Sequence, residues 1–253
     1  WGTLLFFITN SEHITELWPV MGLMNVWRIP LLFVVSGMGV WFAMQRRGWA
    51  ALLGDRTLRI LVPLVFGAFT VCPLFMAIGQ KWFGFPVRYV PNLGHLWFLA
   101  NIFVYVLAFL PVFVWLKSER GARLRERAGG LLRHPWLLFL AVIPIAVEAW
   151  LVNPREFAIY FAGLHGWLYG GVCFLLGFFL VSLGRPFWSS AAKLRWFALA
   201  AASALYLTRA LALDMKGINA LTAVESGCWM LAIVGLGSVY LNRSSAILTY
   251  LSG

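Results

Sequence analysis

Charge is what this sequence has least of. Acidic and basic side chains make up 11% of its 253 residues, about half the share found in an ordinary soluble domain. A soluble fold needs a polar exterior, and too few polar residues remain here to supply one. Carboxylates are the scarcest group: 9 Asp and Glu stand against 20 Lys and Arg, a formal net charge of +11. Such an excess could serve a nucleic acid, but the basic residues lie in short stretches between apolar runs and build no continuous polar face, so no nucleic-acid partner is expected. Only three cysteines occur, Cys72, Cys173 and Cys228, each inside an apolar run and with neither a pairing pattern nor metal-ligand spacing; they read as small apolar fillers. GxSxG, Walker, HExxH and CxxC motifs are all missing, so no motif argues for hydrolase, nucleotidase, zinc-protease or thiol-redox chemistry, and no metal site is expected. The chain starts at Trp1 without an initiator Met, and an apolar run has just begun when it stops at Gly253. Both ends are expected to continue, and residues 1–253 to form one truncated membrane-embedded domain.

Apolar sequence is what fills the chain: 62% of residues are hydrophobic and the mean hydropathy is +0.83. A helix crossing the hydrocarbon needs about 20 apolar residues. Runs of that kind are expected near 20–44, 58–79, 95–116, 135–152, 165–183, 196–213 and 221–241, with residues 1–9 as the tail of an earlier helix and 246–253 as the start of a later one. The predicted fold class is therefore all-α, a polytopic transmembrane bundle of about 7 complete helices with partial helices at both ends. Long runs without alternation argue against a membrane β-barrel. Arg28 and Pro30 in the first run predict an irregular entry, with the helix proper starting near Pro30, because proline is tolerated in a first turn.

Loop charge sets direction. Fourteen of the twenty basic residues fall in alternate connections: Arg46 to Arg59, Lys117 to Arg133, Arg185 to Arg195, and Arg243. The other connections hold five: Lys81, Arg88, Arg155, Arg209 and Lys216. The positive-inside rule then places loops 45–59, 117–134, 184–195 and 242–245 in the cytoplasm. The 117–134 stretch reads as a short basic amphipathic linker facing solvent or headgroups. Trp97, Trp136, Trp167 and Trp196 lie near helix ends as interface anchors. Gly37, Gly39, Gly170 and Gly171 would let helices approach closely.

Polar groups inside such runs are costly, roughly 2.5–3.5 kcal/mol for a charge at the bilayer centre. His95, His165, Glu148 and Glu225 all fall toward the outer ends of their helices, and Asn10, Ser11, Glu12 and His13 join them if the first tail exits there. Imidazole and carboxylate groups on one side can move protons or bind a sugar, or can simply mark helix boundaries. On the cytoplasmic side, Arg56 and Arg59 are three residues apart just before Ile60-Leu61-Val62-Pro63. That spacing puts two planar guanidinium forks on one helix face, able to clamp a polyanion such as the phosphates of a nucleotide-like cofactor, or serving only as positive-inside residues.

Four stretches together resemble a known family. Trp27-Arg28-Ile29-Pro30-Leu31-Leu32-Phe33-Val34-Val35-Ser36-Gly37, the Arg56–Arg59 pair followed by Pro63, and His95-Leu96-Trp97-Phe98-Leu99 are similar to elements of the acyltransferase 3 family of bacterial membrane proteins. The stretch from Glu225 through Trp229 and Gly235 to Tyr240-Leu241-Asn242-Arg243 resembles the branch containing glucan biosynthesis protein C. Membership implies a bundle of about ten helices in the bacterial inner membrane. It would take an acetyl or succinyl group from cytoplasmic acyl-CoA, a donor substrate rather than a permanently bound cofactor, and pass it to a hydroxyl of an extracytoplasmic carbohydrate or glucan. By the same resemblance, Arg56 and Arg59 would hold the donor phosphates. The principal catalytic His, with an Arg on the same helix, would lie upstream of Trp1, leaving the fragment inactive as written. His95 and Glu225 are then secondary candidates for acceptor or proton handling. The alternatives are a secondary transporter or flippase for an acylated or glycosidic substrate, although no internal repeat is visible, and a non-catalytic scaffold in the bilayer.

Overall fold

A computed structural model describes residues 18–161, 163–213 and 217–241 of this chain. The 1–9 tail, Asn10 to His13, Lys216 and everything from Asn242 onward lie outside the described residues. All regular structure among the described residues is helical. In chain order the helices are α1 (Trp18–Asn25), α2 (Arg28–Arg46), α3 (Trp49–Trp82), α4 (Gly94–Lys117), α5 (Glu119–Leu131), α6 (Pro135–Val152), α7 (Gly163–Ser182), α8 (Arg185–Ala212) and α9 (Asn219–Tyr240). All seven expected runs are helical, and six stretches (α1 with α2, α3, α4, α6, α7 and α9) are long and apolar enough to cross a membrane. The seventh, α8, is helical from Arg185 rather than from 196 and is not among the six. Its 28 residues include Arg185, Lys193, Arg195 and Arg209.

The expected irregular entry is a break at Val26–Trp27 between α1 and α2, with α2 starting two residues before Pro30. Two connections expected as loops are largely helical. Helix α3 begins at Trp49 rather than near 58, so Arg56 and Arg59 sit on helix, and its 34 residues would measure about 51 Å if straight, against a hydrocarbon thickness of about 30 Å. It is not straight: a π-helical turn occupies Thr57–Leu61, and Thr70 departs from helical geometry at φ −122°, ψ −67°. The 117–134 stretch holds α5, started by Ser118, whose hydroxyl accepts a hydrogen bond from the Gly121 N–H at 3.4 Å. Ser at this position satisfies one of the donors that the first helical turn leaves unpaired.

Small residues set the tightest packing. A Cβ on Gly37 would lie 2.0 Å from the Phe174 carbonyl oxygen, and one on Gly177 would lie 2.0 Å from that of Val34, so α2 and α7 touch backbone to backbone. Gly235 brings α9 against the Ala191 carbonyl of α8 in the same way, at 2.4 Å. A Cβ on Gly170 would lie 2.8 Å from both the Phe33 ring and the Tyr105 hydroxyl, a close approach as expected. Gly39 and Gly171 have only ordinary neighbours and do not bring helices together. Beside the α2–α7 seam, aromatic rings from α4 and α7 form the core, with Phe113 stacked on Phe178 at 4.0 Å between centroids and Tyr105 donating to the Trp167 carbonyl at 2.7 Å. Leu58, Val62, Phe66, Phe69 and Leu74 of α3 are exposed, a surface that only lipid or another apolar partner would cover. Trp136, Trp167 and Trp196 are exposed as interface anchors should be, whereas Trp97 packs inward on Phe33.

Candidate functional site

The hairpins of the bundle bring its polar groups to two opposite ends. The last residues of α2, α4 and α7 meet around α5: Lys117 bonds the Met44 carbonyl, and Arg125, midway along α5, donates to the carbonyls of Leu116 at 3.0 Å and Ser182 at 3.4 Å. Arg125 also lies 4.9 Å over the Trp41 ring. This basic end carries most of the Lys and Arg. The opposite end gathers the α1–α2 break, the end of α6, the start of α7, the end of α8 and the start of α9, and holds two buried ionisable pairs.

The first pair is Arg209 with Glu225. Arg209 Nε donates to one carboxylate oxygen at 2.7 Å and Nη2 to the other at 2.9 Å, while Nη2 also reaches the Gly22 carbonyl at 3.1 Å. The two side chains are 8% and 1% exposed. A guanidinium fork facing a carboxylate is the geometry that best offsets desolvation of both charges. Arg209 lies three residues before the end of α8 and Glu225 six residues after the start of α9, so the antiparallel hairpin sets them at similar depth. Sequence reasoning counted Arg209 among loop residues; it is a buried helical residue, and Glu225 is locked to it. A carboxylate held at both oxygens is better suited to fixing charge and position than to abstracting a proton.

The second pair is Glu148 with His165, built by the same geometry across the α6–α7 hairpin. His165 Nδ1 lies 3.1 Å from each carboxylate oxygen, and Nε2 lies 3.1 Å from the Phe157 carbonyl. A carbonyl can only accept, so Nε2 carries a proton. The contact at Nδ1 then requires one more, held by the imidazole or by the carboxyl. Glu148 and His165 therefore share a proton in a site closed by the rings of Phe157, Tyr160 and Tyr169, whose centroids lie 5.1–5.7 Å from the imidazole.

The two pairs are linked through a single carbonyl. Tyr160 donates its hydroxyl proton to the Val26 carbonyl at 2.9 Å, and Ser226, next to Glu225, donates to the same oxygen at 3.0 Å. Burial first, and then the nearby Cys173 and Glu148, raise the Tyr160 hydroxyl well above the ordinary phenol range, so it stays a donor at any physiological pH. Val26 immediately precedes the Trp27-Arg28-Ile29-Pro30 stretch, and Trp27 packs on Trp229 at 6.5 Å between ring centroids. Neither indole N–H of these two tryptophans meets an acceptor among the described residues. Sequence reasoning missed Arg209, Tyr160 and Ser226 as partners. Matching the depth of polar residues across each expected hairpin would have found Arg209. His95 is not in this cluster: it is exposed, with its ring edge-on to Phe75 of α3 at 6.1 Å.

At the basic end the two arginines of α3 part company. Arg59 is 71% exposed in its side chain and bonds Asp55 through Nε at 2.8 Å, a carboxylate that also holds Arg47 at 3.2 Å. Arg56 is half-buried, its Nη2 lying 3.9 Å from where a side chain on Gly39 would begin. Its Nε is shielded and has no acceptor among the described residues. The π turn starts between them, and by changing the residues per turn it separates two groups that plain α-helical spacing would align. The described residues hold no group of three or more His, Cys, Asp or Glu side chains that could bind a metal ion.

A family model described as an acyltransferase domain matches residues 2–252. No curated protein and no solved structure matches the chain.

Proposed function

Because the chain belongs to the acyltransferase 3 family and is a membrane acyltransferase, we propose that it moves an acetyl or succinyl group from acyl-CoA in the cytoplasm to a hydroxyl of an extracytoplasmic carbohydrate. In this reading the basic end faces the cytoplasm, following the positive-inside rule, in the bacterial inner membrane. The observation that carries it is Arg56. A half-buried guanidinium with an unpartnered Nε beside a π turn is poised to accept a phosphate. Arg59, exposed and exchangeable from Asp55, supplies a second fork.

The donor phosphates would rest on these groups, with the thioester reaching into the bundle. The acceptor hydroxyl oxygen attacks the thioester carbonyl carbon, the C–S bond breaks, and coenzyme A leaves as the thiolate. The hydroxyl proton passes to a base and finally to that sulfur. By family resemblance the base is a histidine on a helix preceding Trp1. Glu225, held by Arg209, would position the outer end of α9 and its negative charge beside the acceptor path, and exposed His95 would serve acceptor or proton handling.

The test uses the full-length protein in detergent or nanodiscs, incubated with radiolabelled acetyl-CoA or succinyl-CoA and a periplasmic glucan fraction. Label should appear in the glucan, and Arg56→Ala should abolish transfer while membrane expression is unchanged. Normal transfer by Arg56→Ala would remove the donor clamp. In sealed proteoliposomes, label crossing the membrane without a new ester bond would replace transfer with transport.

A further inference from the structure

The acyl-transfer chemistry leaves two grooves unused, one polar and one apolar, with a run of aromatic rings between them. The polar groove, of about 590 Å³, lies at the basic end between the end of α5 and the start of α8. Arg125, Glu126, Arg133, Ser189 and Lys193 are among its lining residues. Arg125 is committed to the Leu116 and Ser182 carbonyls and the Trp41 ring. Arg133 and Lys193 are exposed and form no ion pair among the described residues. Two free cations against the single carboxylate of Glu126 favour an anion.

Directly beneath it the surface becomes aromatic. Phe197 follows Lys193 by one helical turn on α8, and Trp136 lies three residues beyond Arg133. The two rings meet edge to face at 4.6 Å, and Phe139 packs on Phe197 at 5.6 Å. Phe139 then opens a second, open groove of about 350 Å³ running along α6 past Ile143, Ala146, Val147 and Trp150, with Val224 of α9 as its other wall. From Phe139 to Trp150 the helical rise covers roughly 18 Å, more than half the ~30 Å hydrocarbon thickness.

We propose that this face binds one phospholipid with an anionic headgroup, its phosphate held by Arg133 and Lys193 and one acyl chain lying in the groove between α6 and α9. A free anion would explain the polar groove and leave the apolar one unused; a partner helix would explain the apolar groove and strand the cations at its end. A lipid of the leaflet at the basic end satisfies both. Cations near a membrane surface attract anionic headgroups, and an aromatic belt at headgroup depth is where the polar and apolar parts of such a molecule meet. Neither groove is lined by Arg56 or by a member of the two buried pairs, so the site stands whether or not the donor assignment does.

Native mass spectrometry of the full-length protein in a neutral detergent, titrated with dioleoylphosphatidylglycerol, tests the assignment. The lipid should bind, dioleoylphosphatidylcholine should bind at least tenfold more weakly, and a hundredfold excess of glycerol 3-phosphate should not compete. Arg133→Gln with Lys193→Gln, both at exposed positions, should weaken phosphatidylglycerol binding at least tenfold. Ala146→Trp should do the same by filling the apolar groove, and Arg155→Gln at the opposite end should change nothing. Equal binding of the two lipids, or wild-type binding by the double variant, would overturn the proposal. So would competition by glycerol 3-phosphate, which would reduce the site to an anion pocket.

Discussion

At the basic end, Arg133 and Lys193 stand exposed without an ion pair among the described residues and exposed Arg59 shares the half-buried Asp55 with Arg47, whereas at the opposite end Arg209, Glu225, Glu148 and His165 are buried and every one is paired. The contrast follows from solvent. Exposed cations are hydrated and need no partner, and surface pairs contribute about 0–1 kcal/mol. Buried ions need a partner, because removing it leaves a desolvated charge. The exposed cations of the basic end are therefore free to meet ligands, while the buried charge at the other end is committed to holding four helices and the α1–α2 break in register. Arg56 and Arg195 join the two patterns, each half-buried like one group and unpaired at Nε like the other.

The largest effect should come from breaking the buried ion pair. Glu225→Ala or Arg209→Ala should destabilise the protein by about 3–5 kcal/mol, read by denaturation in detergent. Replacing both together, Arg209→Met with Glu225→Leu, should restore most of the loss; a double variant as unstable as the singles would mean that the charges are needed for more than each other. Crowding the closest helix seam comes next. Gly37→Val puts a side chain where the Phe174 carbonyl oxygen now lies and should cost at least about 1–3 kcal/mol, against little change for Gly39→Ala, which has room.

The proton-sharing pair should show a finer distinction. Glu148→Leu leaves His165 Nδ1 buried without a partner and should cost about 1–3 kcal/mol, while Glu148→Gln can donate to a neutral imidazole and should cost less. Equal losses would show that the negative charge, not the hydrogen bond, is what matters. At the basic end, the smallest stability effects are expected: Arg56→Ala and Arg59→Ala should each change stability by about 0.5 kcal/mol or less. Acyl transfer should fall further for Arg56→Ala than for Arg59→Ala, since Arg56, unlike Arg59, is half-buried with a shielded, unpartnered Nε.

Much of this architecture is legible in the sequence because a bilayer leaves few alternatives: apolar length marks the helices, and the six longest apolar stretches lie where the runs are. Helix starts were less legible. Trp49-Ala50-Ala51-Leu52-Leu53-Gly54 and the basic 119–131 stretch lack the long apolar signature of a span, yet both form helix because surface helices need no such run. The ionisable residues Glu148, His165 and Glu225 stood out as costly, and the structure gathers them at one end. Their partners did not stand out. Arg209 looked like one more loop cation, and the Val26 carbonyl that receives both Tyr160 and Ser226 has no side-chain signature at all. The π turn that separates Arg56 from Arg59 is equally silent, since Thr-Leu-Arg-Ile-Leu reads as ordinary helix.

Transfer between compartments requires the two ends of the bundle to face opposite sides of the membrane, and thiol labelling measures that directly. Cys72, Cys173 and Cys228 are all buried, so the background should be silent to a membrane-impermeant maleimide. In intact spheroplasts of cells making the full-length protein, Arg155→Cys should label and Arg127→Cys should label only after the membrane is opened. Labelling of Arg127→Cys in sealed spheroplasts, with Arg155→Cys protected, would turn the molecule over and place the arginines of α3 away from any cytoplasmic donor.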